Sequence, residues 1–148
     1  VNHNKIVMKV GIKKLHPNAV VPKYAKSGDA GLDLTAVEII NDEGFQVTYK
    51  TGLAFEIPLG YVGLLFPRSS IRNYQLSLSN AVGVVDSGYR GEIQFTFNKL
   101  AGIPSKKYEV GDRIGQLIIL PYPSIELVEL DNLSETERGE GGFGSSGK

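Results

Sequence analysis

The chain predicts an all-β fold on three observations: short stretches of alternating apolar and polar residues, turn residues at close intervals between them, and almost no segment with helical spacing. Ile6, Met8, Val10 and Ile12 alternate with Lys5, Lys9 and Lys13, so a strand with one wet face is expected there. Ile93, Phe95 and Phe97 alternate in the same way with Glu92, Gln94, Thr96 and Asn98. The run from Gln116 to Leu120 is nearly all apolar and suits a strand covered on both faces. Turns are expected at Pro17-Asn18, Ser27-Gly28-Asp29, Asn41 to Gly44, Pro58-Leu59-Gly60, Gly102-Ile103-Pro104 and Gly111-Asp112. One short helix is expected around Ser70 to Gln75. Many short strands with frequent turns point to a β-sandwich, jelly roll or barrel.

With 148 residues the chain makes one ordinary domain, long enough to bury a sizeable core. Lys+Arg and Asp+Glu number 16 each, and this balance argues against a free-standing nucleic-acid binder, which needs a basic surplus to neutralise phosphates. A small anionic ligand held by a local basic cluster stays open. The absence of cysteine excludes disulfides, thiolate metal sites and cysteine nucleophiles, and His3 and His16 alone do not make a zinc centre. Any metal must then be a hard cation held by oxygens, many of them from substrate. No apolar run approaches the roughly 18 residues of a membrane span. Val1 to Lys5 has neither a signal-peptide pattern nor an initiator Met, so a processed or trimmed start and a soluble cytoplasmic protein are expected.

From Asp131 onward apolar content nearly vanishes, so the chain divides into a β domain, 1–130, and a mobile arm, 131–148. Read as a linker, the arm needs no Arg138 or Phe143; both residues among glycines fit a segment that closes over a ligand. Gly142 to Lys148 has the G-x-x-x-x-G-K spacing of a phosphate-binding loop. Such a loop follows a strand, continues with Ser or Thr and opens a helix. That context is missing, and the match is rejected.

Five segments carry a stronger signal. They are Ala30 to Leu34, Pro67 to Ser70, Asn80 to Glu92, Gly111 to Leu117, and Arg138 to Gly147. Singly, each has an ordinary structural explanation: a turn acid at Asp33, a helix cap at Arg68-Ser69-Ser70, hairpin glycines at Gly83 and Gly88. In this order and spacing they resemble the five motifs of the homotrimeric dUTPase family, over almost the whole chain from Gly28 to Gly147.

That resemblance implies a jelly-roll-like distorted β-barrel with one short helix and a flexible C-terminal tail. It implies hydrolysis of dUTP to dUMP and pyrophosphate, which limits uracil in DNA and supplies dUMP for thymidylate synthesis. Asp86 matches the carboxylate that orients and deprotonates the attacking water at the α-phosphorus, and Arg138 matches an arginine finger. Arg68, Ser69, Ser70 and Gln116 fall at phosphate-binding positions, where the fork of an Arg suits phosphate oxygens. Asn80 matches the uracil-reading Asn, with the backbone of Gly83 and Val85 beside it, and Tyr89 matches the aromatic that leaves no room for a 2′-hydroxyl. Phe143 matches the ring that stacks on uracil, with Gly144, Ser145 and Ser146 around the γ-phosphate. Asp33 matches the acid that holds Mg²⁺ through a water. In the family the arm belongs to a different subunit from the hairpin, so a homotrimer with shared sites is implied. Ser70 stands where Gly is more usual, Gly88 where Asp is commoner, and Ser146 where Thr is usual.

Three other readings compete. Asp86-Ser87-Gly88-Tyr89 also resembles a stretch of dCTP deaminase, but the position of that enzyme's catalytic Glu holds Thr96. A non-catalytic binder on the same scaffold leaves unexplained why every expected functional side chain is present. A purely structural jelly roll explains the strands and not the clustered motifs.

Overall fold

The structure, a computed structural model, describes residues 7–100 and 106–147. His3, Lys5, Ile6, the Gly102-Ile103-Pro104 turn and Lys148 lie outside them. The described residues form ten strands and one short helix. A four-stranded sheet has β2 (Leu32–Thr35), β10 (Arg113–Pro121), β6 (Tyr61–Phe66) and β8 (Gly83–Val85) side by side in that order. A second has β3 (Glu38–Glu43), β4 (Gln46–Lys50), β9 (Gln94–Lys99) and β7 (Leu76–Leu78). β1 (Gly11–Lys14) and β5 (Leu53–Glu56) form a small third sheet. All pairings are antiparallel and the sheets do not close on one another, which bears out a jelly-roll-like, all-β expectation.

The alternation around Phe95 does what it predicted. Phe95 and Phe97 point inward from β9, opposite Tyr49 and Val47 of β4, while Gln94, Thr96 and Asn98 face the other way. Across the core they meet Leu34, Leu65, Val85, Ile114 and Leu117 from the other sheet. Each such side chain fully removed from water stabilises the fold by roughly 1.5–3 kcal/mol. The polar atoms taken inside are satisfied locally. The Tyr49 hydroxyl donates to the Tyr108 carbonyl at 2.7 Å, and the Thr51 hydroxyl to the Ile93 carbonyl at 2.7 Å.

Three boundaries differ from expectation. The first strand runs Gly11–Lys14 and leaves out Val7 to Val10, because its partner β5 ends at Glu56 ahead of Pro58 and offers nothing for them to pair with. The short helix is a 3₁₀ segment, Ser69–Asn73, ending before Gln75 because Tyr74 is already extended toward β7. The turn expected at Asn41 to Gly44 narrows to Gly44-Phe45, with Asn41, Asp42 and Glu43 drawn into β3. In addition, β10 is only partly covered on both faces: Leu117 is buried, Ile118 and Ile119 are half-buried, and Leu120 is exposed. Its backbone has neighbours on both sides, but its outward face in a single chain is open.

At Gly115 the first sheet packs tightly against Phe95 of the second. A Cβ there would lie 2.2 Å from the Phe95 ring. Gly115→Ala is therefore expected to destabilise the fold by about 1–3 kcal/mol, the range for overpacking a core. Denaturant unfolding checks this; an unchanged midpoint would contradict the close approach.

Regular structure stops at Pro121, ahead of the boundary expected at Asp131. Tyr122 to Glu140 is exposed and irregular, with Ile125, Leu127 and Leu133 each more than 70% exposed.

Candidate active site

Two groups of predicted residues take shape on the first sheet. Asp33 on β2 pairs in register with Gln116 on β10, and Gln116 with Phe66 on β6. Pro67 follows β6 and Arg68 directly precedes the 3₁₀ helix, so the arginine emerges beside the aspartate. Arg68 Nε lies 3.1 Å from Asp33 Oδ1, and Arg113 Nη1 lies 3.4 Å from Asp33 Oδ2. Arg68 Nη1 also donates to Ser70 Oγ at 3.3 Å and to the Arg113 carbonyl at 3.4 Å, while Gln116 Nε2 donates to the Pro67 carbonyl at 3.0 Å. Two guanidinium groups against one carboxylate leave surplus positive charge. Arg113 is a little over half exposed, so that surplus faces solvent and suits a polyanion.

Sequence reasoning assigned no role to Arg113. In an even strand, residues three apart point to opposite faces, which would set Arg113 against Gln116. A β-bulge intervenes: Arg113 pairs with Thr35 and Gly115 already with Leu34, so Ile114 is the extra residue. The bulge returns Arg113 to the face that carries Asp33 and Gln116. The nearest sequence signal was Gly115, beside the extra residue.

Beneath this cluster lies Tyr108, which sequence reasoning also passed over. Burial pushes its phenol above the ordinary value, and the nearby Ser70 hydroxyl pulls it partly back. No hydrogen bond of acceptable geometry joins the two hydroxyls.

The second group surrounds β8. Asn80 and Asp86 are exposed at the two ends of the segment that contains this strand. Between them Ala81 sits at φ 59°, a left-handed conformation unfavourable for a residue with a side chain, next to a tight bond from Val82 N to the Asn80 carbonyl at 2.6 Å. Strain of this kind fixes the direction of neighbouring amides. A cavity of about 290 Å³ opens beside this turn, lined by Asn80, Gly83, Val85, Tyr89 and Ile93 among others. The Tyr89 hydroxyl donates to the Glu92 carbonyl at 3.0 Å, and its amide to the Asp86 carbonyl at 3.1 Å. Gly91 makes that ring position possible, since a Cβ there would lie 2.4 Å from the Tyr89 hydroxyl. Thr96, at the position where a deaminase would hold its Glu, is tied to Thr48 at 2.9 Å inside the second sheet.

The two groups line no common cavity within one chain. Asp33 on β2 and the hairpin at β8 stand on opposite edges of their sheet, three inter-strand steps of about 4.8 Å apart, while Arg68 follows β6, the neighbour of β8. The cavity at Tyr89 is lined by none of Asp33, Arg68, Ser69 or Gln116. The arm joins neither group. Arg138 Nε donates to the Gly141 carbonyl at 2.9 Å within the arm, and Phe143, at φ 51°, is fully exposed. Gly144, Ser145 and Ser146 lie exposed in successive turns. A larger cavity, about 1060 Å³, lies along the N-terminal segment and contains none of the predicted site residues.

The dUTPase family model matches residues 17–147. The chain belongs to the dUTPase family. Among curated dUTPases, the deoxyuridine 5′-triphosphate nucleotidohydrolase of Thermobifida fusca is 42% identical over 95% of this chain and 79% of its own length. The Helicobacter pylori (strain P12) protein of the same name is 41% identical over 95% of this chain and 97% of its own. The fold agrees with that of solved dUTPases. The enzyme of Staphylococcus bacteriophage 80alpha, solved with dUpNHpp, superposes with a TM-score of 0.81 at 31% identity, covering 96% of this chain and all of that one. A dUTPase variant from phage phi11 of S. aureus, in which a structural Mg(II) ion is coordinated, gives 0.73 at 25% identity over 86% of this chain and all of its own. As a dUTPase, the chain is an enzyme of the dUTP diphosphatase class.

Proposed function

We propose that the chain hydrolyses dUTP to dUMP and pyrophosphate by attack of an Asp86-activated water on the α-phosphorus. The observation that carries this reading is that the chain presents both a cationic cluster, Arg68 and Arg113 about Asp33, and a base-sized cavity lined by Asn80, Val85 and Tyr89, with the exposed Asp86 next in sequence to Val85. A water held by Asp86 gives up its proton as its oxygen bonds to phosphorus; the bond to the bridging oxygen breaks and pyrophosphate leaves. Arg68, Ser69, Ser70 and Gln116 hold phosphate oxygens, where charge builds up during the step. Asn80 and the backbone of Gly83 and Val85 read the uracil edge. Tyr89, its ring fixed between Gly91 and Glu92, fills the space a 2′-hydroxyl would need. From the arm, Phe143 stacks on the base, Gly144, Ser145 and Ser146 wrap the terminal phosphates, and Arg138 faces the developing negative charge.

The donor set fits Mg²⁺ only as an ion held mostly by substrate. Among the described residues no three His, Cys, Asp or Glu side chains cluster, and Asp33 is the one carboxylate in the cationic cluster. Asp33 would hold the ion through a water, and the ion would neutralise phosphate charge.

Three features support a homotrimer with shared sites. The cationic cluster and the Tyr89 cavity share no lining residue within one chain, so a site completed from several chains would bring them together. The outward face of β10, β6 and β8 presents Ile118, Leu64 and Val84, the last of them 66% exposed. The segment after β10 carries Glu126, Glu129, Asp131, Glu135 and Glu137, opposite in charge to Lys26 of the large N-terminal cavity and to Lys9, Lys13, Lys14 and Lys23 of the same N-terminal stretch. In the cell, this activity limits uracil incorporation into DNA and supplies dUMP for thymidylate synthesis.

Hydrolysis in ¹⁸O-water tests the reaction. The label is expected in dUMP, with dCTP, dTTP and UTP left largely intact; label only in pyrophosphate would overturn attack at the α-phosphorus.

A further inference from the structure

β8 ends at Val85 and β9 begins at Gln94, so the stretch that carries Asp86 and Tyr89 lies outside any strand. A turn opens it, in which the Tyr89 amide donates to the Asp86 carbonyl at 3.1 Å. Two further carbonyls of this stretch are gathered by one side chain. Arg90 Nη1 donates to the Ser87 carbonyl at 2.6 Å and to the Tyr89 carbonyl at 3.1 Å, while Nη2 lies 3.5 Å from Glu56 Oε1 at the end of β5. Gly11, the partner of Glu56 across the β1–β5 pair, leaves that carboxylate room, since a Cβ there would lie 3.1 Å from Glu56 Oε2. The far end of the stretch is tied to the same strand: the Ile93 amide donates to the Leu53 carbonyl at 2.8 Å.

The fold itself needs little of this. Arg90 is a little over half exposed and Glu56 more so, and an ion pair in that setting contributes little to stability. What the guanidinium supplies is direction. Its planar fork holds several donors in fixed relation, so one group secures two carbonyls and faces a carboxylate at once, where a lysine ammonium is a single point on a flexible stem. Tyr89 is thereby held at both ends, its carbonyl by Arg90 and its hydroxyl by the Glu92 carbonyl at 3.0 Å. Asp86 shares the same turn. We propose that Arg90 is a positioning residue: by clamping the Ser87 and Tyr89 carbonyls beside the end of β5, it sets the aim of the Asp86 carboxylate and the place of the Tyr89 ring together. A shift of about 1 Å in a reacting group costs on the order of a hundredfold in rate, so such a clamp acts on turnover more than on stability. The inference rests on the roles of Asp86 and Tyr89 proposed above, and adds a residue that reaches the reaction only through them.

The test compares the full chain with Arg90→Met, which keeps an unbranched side chain and removes its donors, and with Arg90→Lys. Hydrolysis of dUTP and of UTP is read for each, together with thermal unfolding. In Arg90→Met, kcat for dUTP is expected to fall about tenfold with KM and Tm little changed, and the preference for dUTP over UTP in kcat/KM to fall about threefold to tenfold. Arg90→Lys should lie between Arg90→Met and the native chain. Either turnover or preference left unchanged in Arg90→Met overturns the joint clamp. A rise in KM shared by dUTP and UTP, with their ratio kept, would make Arg90 a phosphate contact and overturns it as well. Should Arg90→Met fold poorly, Arg90→Lys supplies the second reading: a partial loss of turnover and preference supports the clamp, and native values of both overturn it. A native chain that leaves dUTP intact, or hydrolyses UTP equally well, overturns the functional reading, whereas a native chain selective for dUTP and matched by Arg90→Met overturns the Arg90 role alone.

Discussion

Asp86→Asn is expected to reduce turnover of dUTP by about a thousandfold or more while dUTP still binds, within the range for losing a positioned general base. The substitution keeps size and shape and removes only the negative charge that accepts the proton. Asp86 is exposed and its backbone carbonyl, not its carboxylate, receives the Tyr89 amide, so the turn after β8 has no structural need of the charge. Binding should survive because the residues assigned to base and phosphates remain. Rapid-quench single-turnover rates together with calorimetric binding of dUpNHpp separate the two effects. Near-native turnover would mean that another group activates the water; lost binding with lost turnover would make Asp86 a ligand and not a base.

Removal of Arg138 to Lys148 should have a comparable effect for a different reason. An arginine supplied to a phosphoryl centre from a mobile element contributes about 10³ to 10⁵ in rate. The deletion also takes away Phe143, whose ring is fully exposed and packs against nothing in a single chain. The fold should not notice. Among the described residues no buried apolar side chain lies beyond Leu117, and the last strand ends at Pro121. The truncated chain is expected to keep its circular dichroism spectrum, Tm and assembly state while losing nearly all hydrolysis. Full activity after truncation would make the arm an ordinary loose end.

How much of this was legible beforehand depended on which forces set each feature. Phe95 and Phe97 announce β9 because one residue in two must enter the core, and that rule is local. Where β1 begins is not local: it depends on how far β5 extends, and β5 stops ahead of Pro58. The short helix ends two residues ahead of expectation for a similar reason, since the onset of β7 limits it at its C-terminal end. The phosphate-loop spacing that begins at Gly142 falls in turns with no strand directly before it, so it lacks the strand-to-helix setting such a loop needs. In the candidate site, the separation of the motif residues into two groups was not legible, because linear order carries no record of the sheet order β2-β10-β6-β8. Arg113 escaped notice because a bulge breaks the two-residue rule that would have placed it.

That bulge has a bearing on which parts of the enzyme can vary. Ile114 occupies an odd step in a strand gripped from both sides, and everything after it takes its facing from that step. Losing one residue there would turn Gln116 toward the oily interior and bring Leu117 out to water. Gain or loss of residues is far better absorbed in the glycine-rich arm. The chemistry for gripping phosphate is thus welded to the packing of the interior, whereas the part that reaches across to cover the ligand is free to lengthen, shorten and drift.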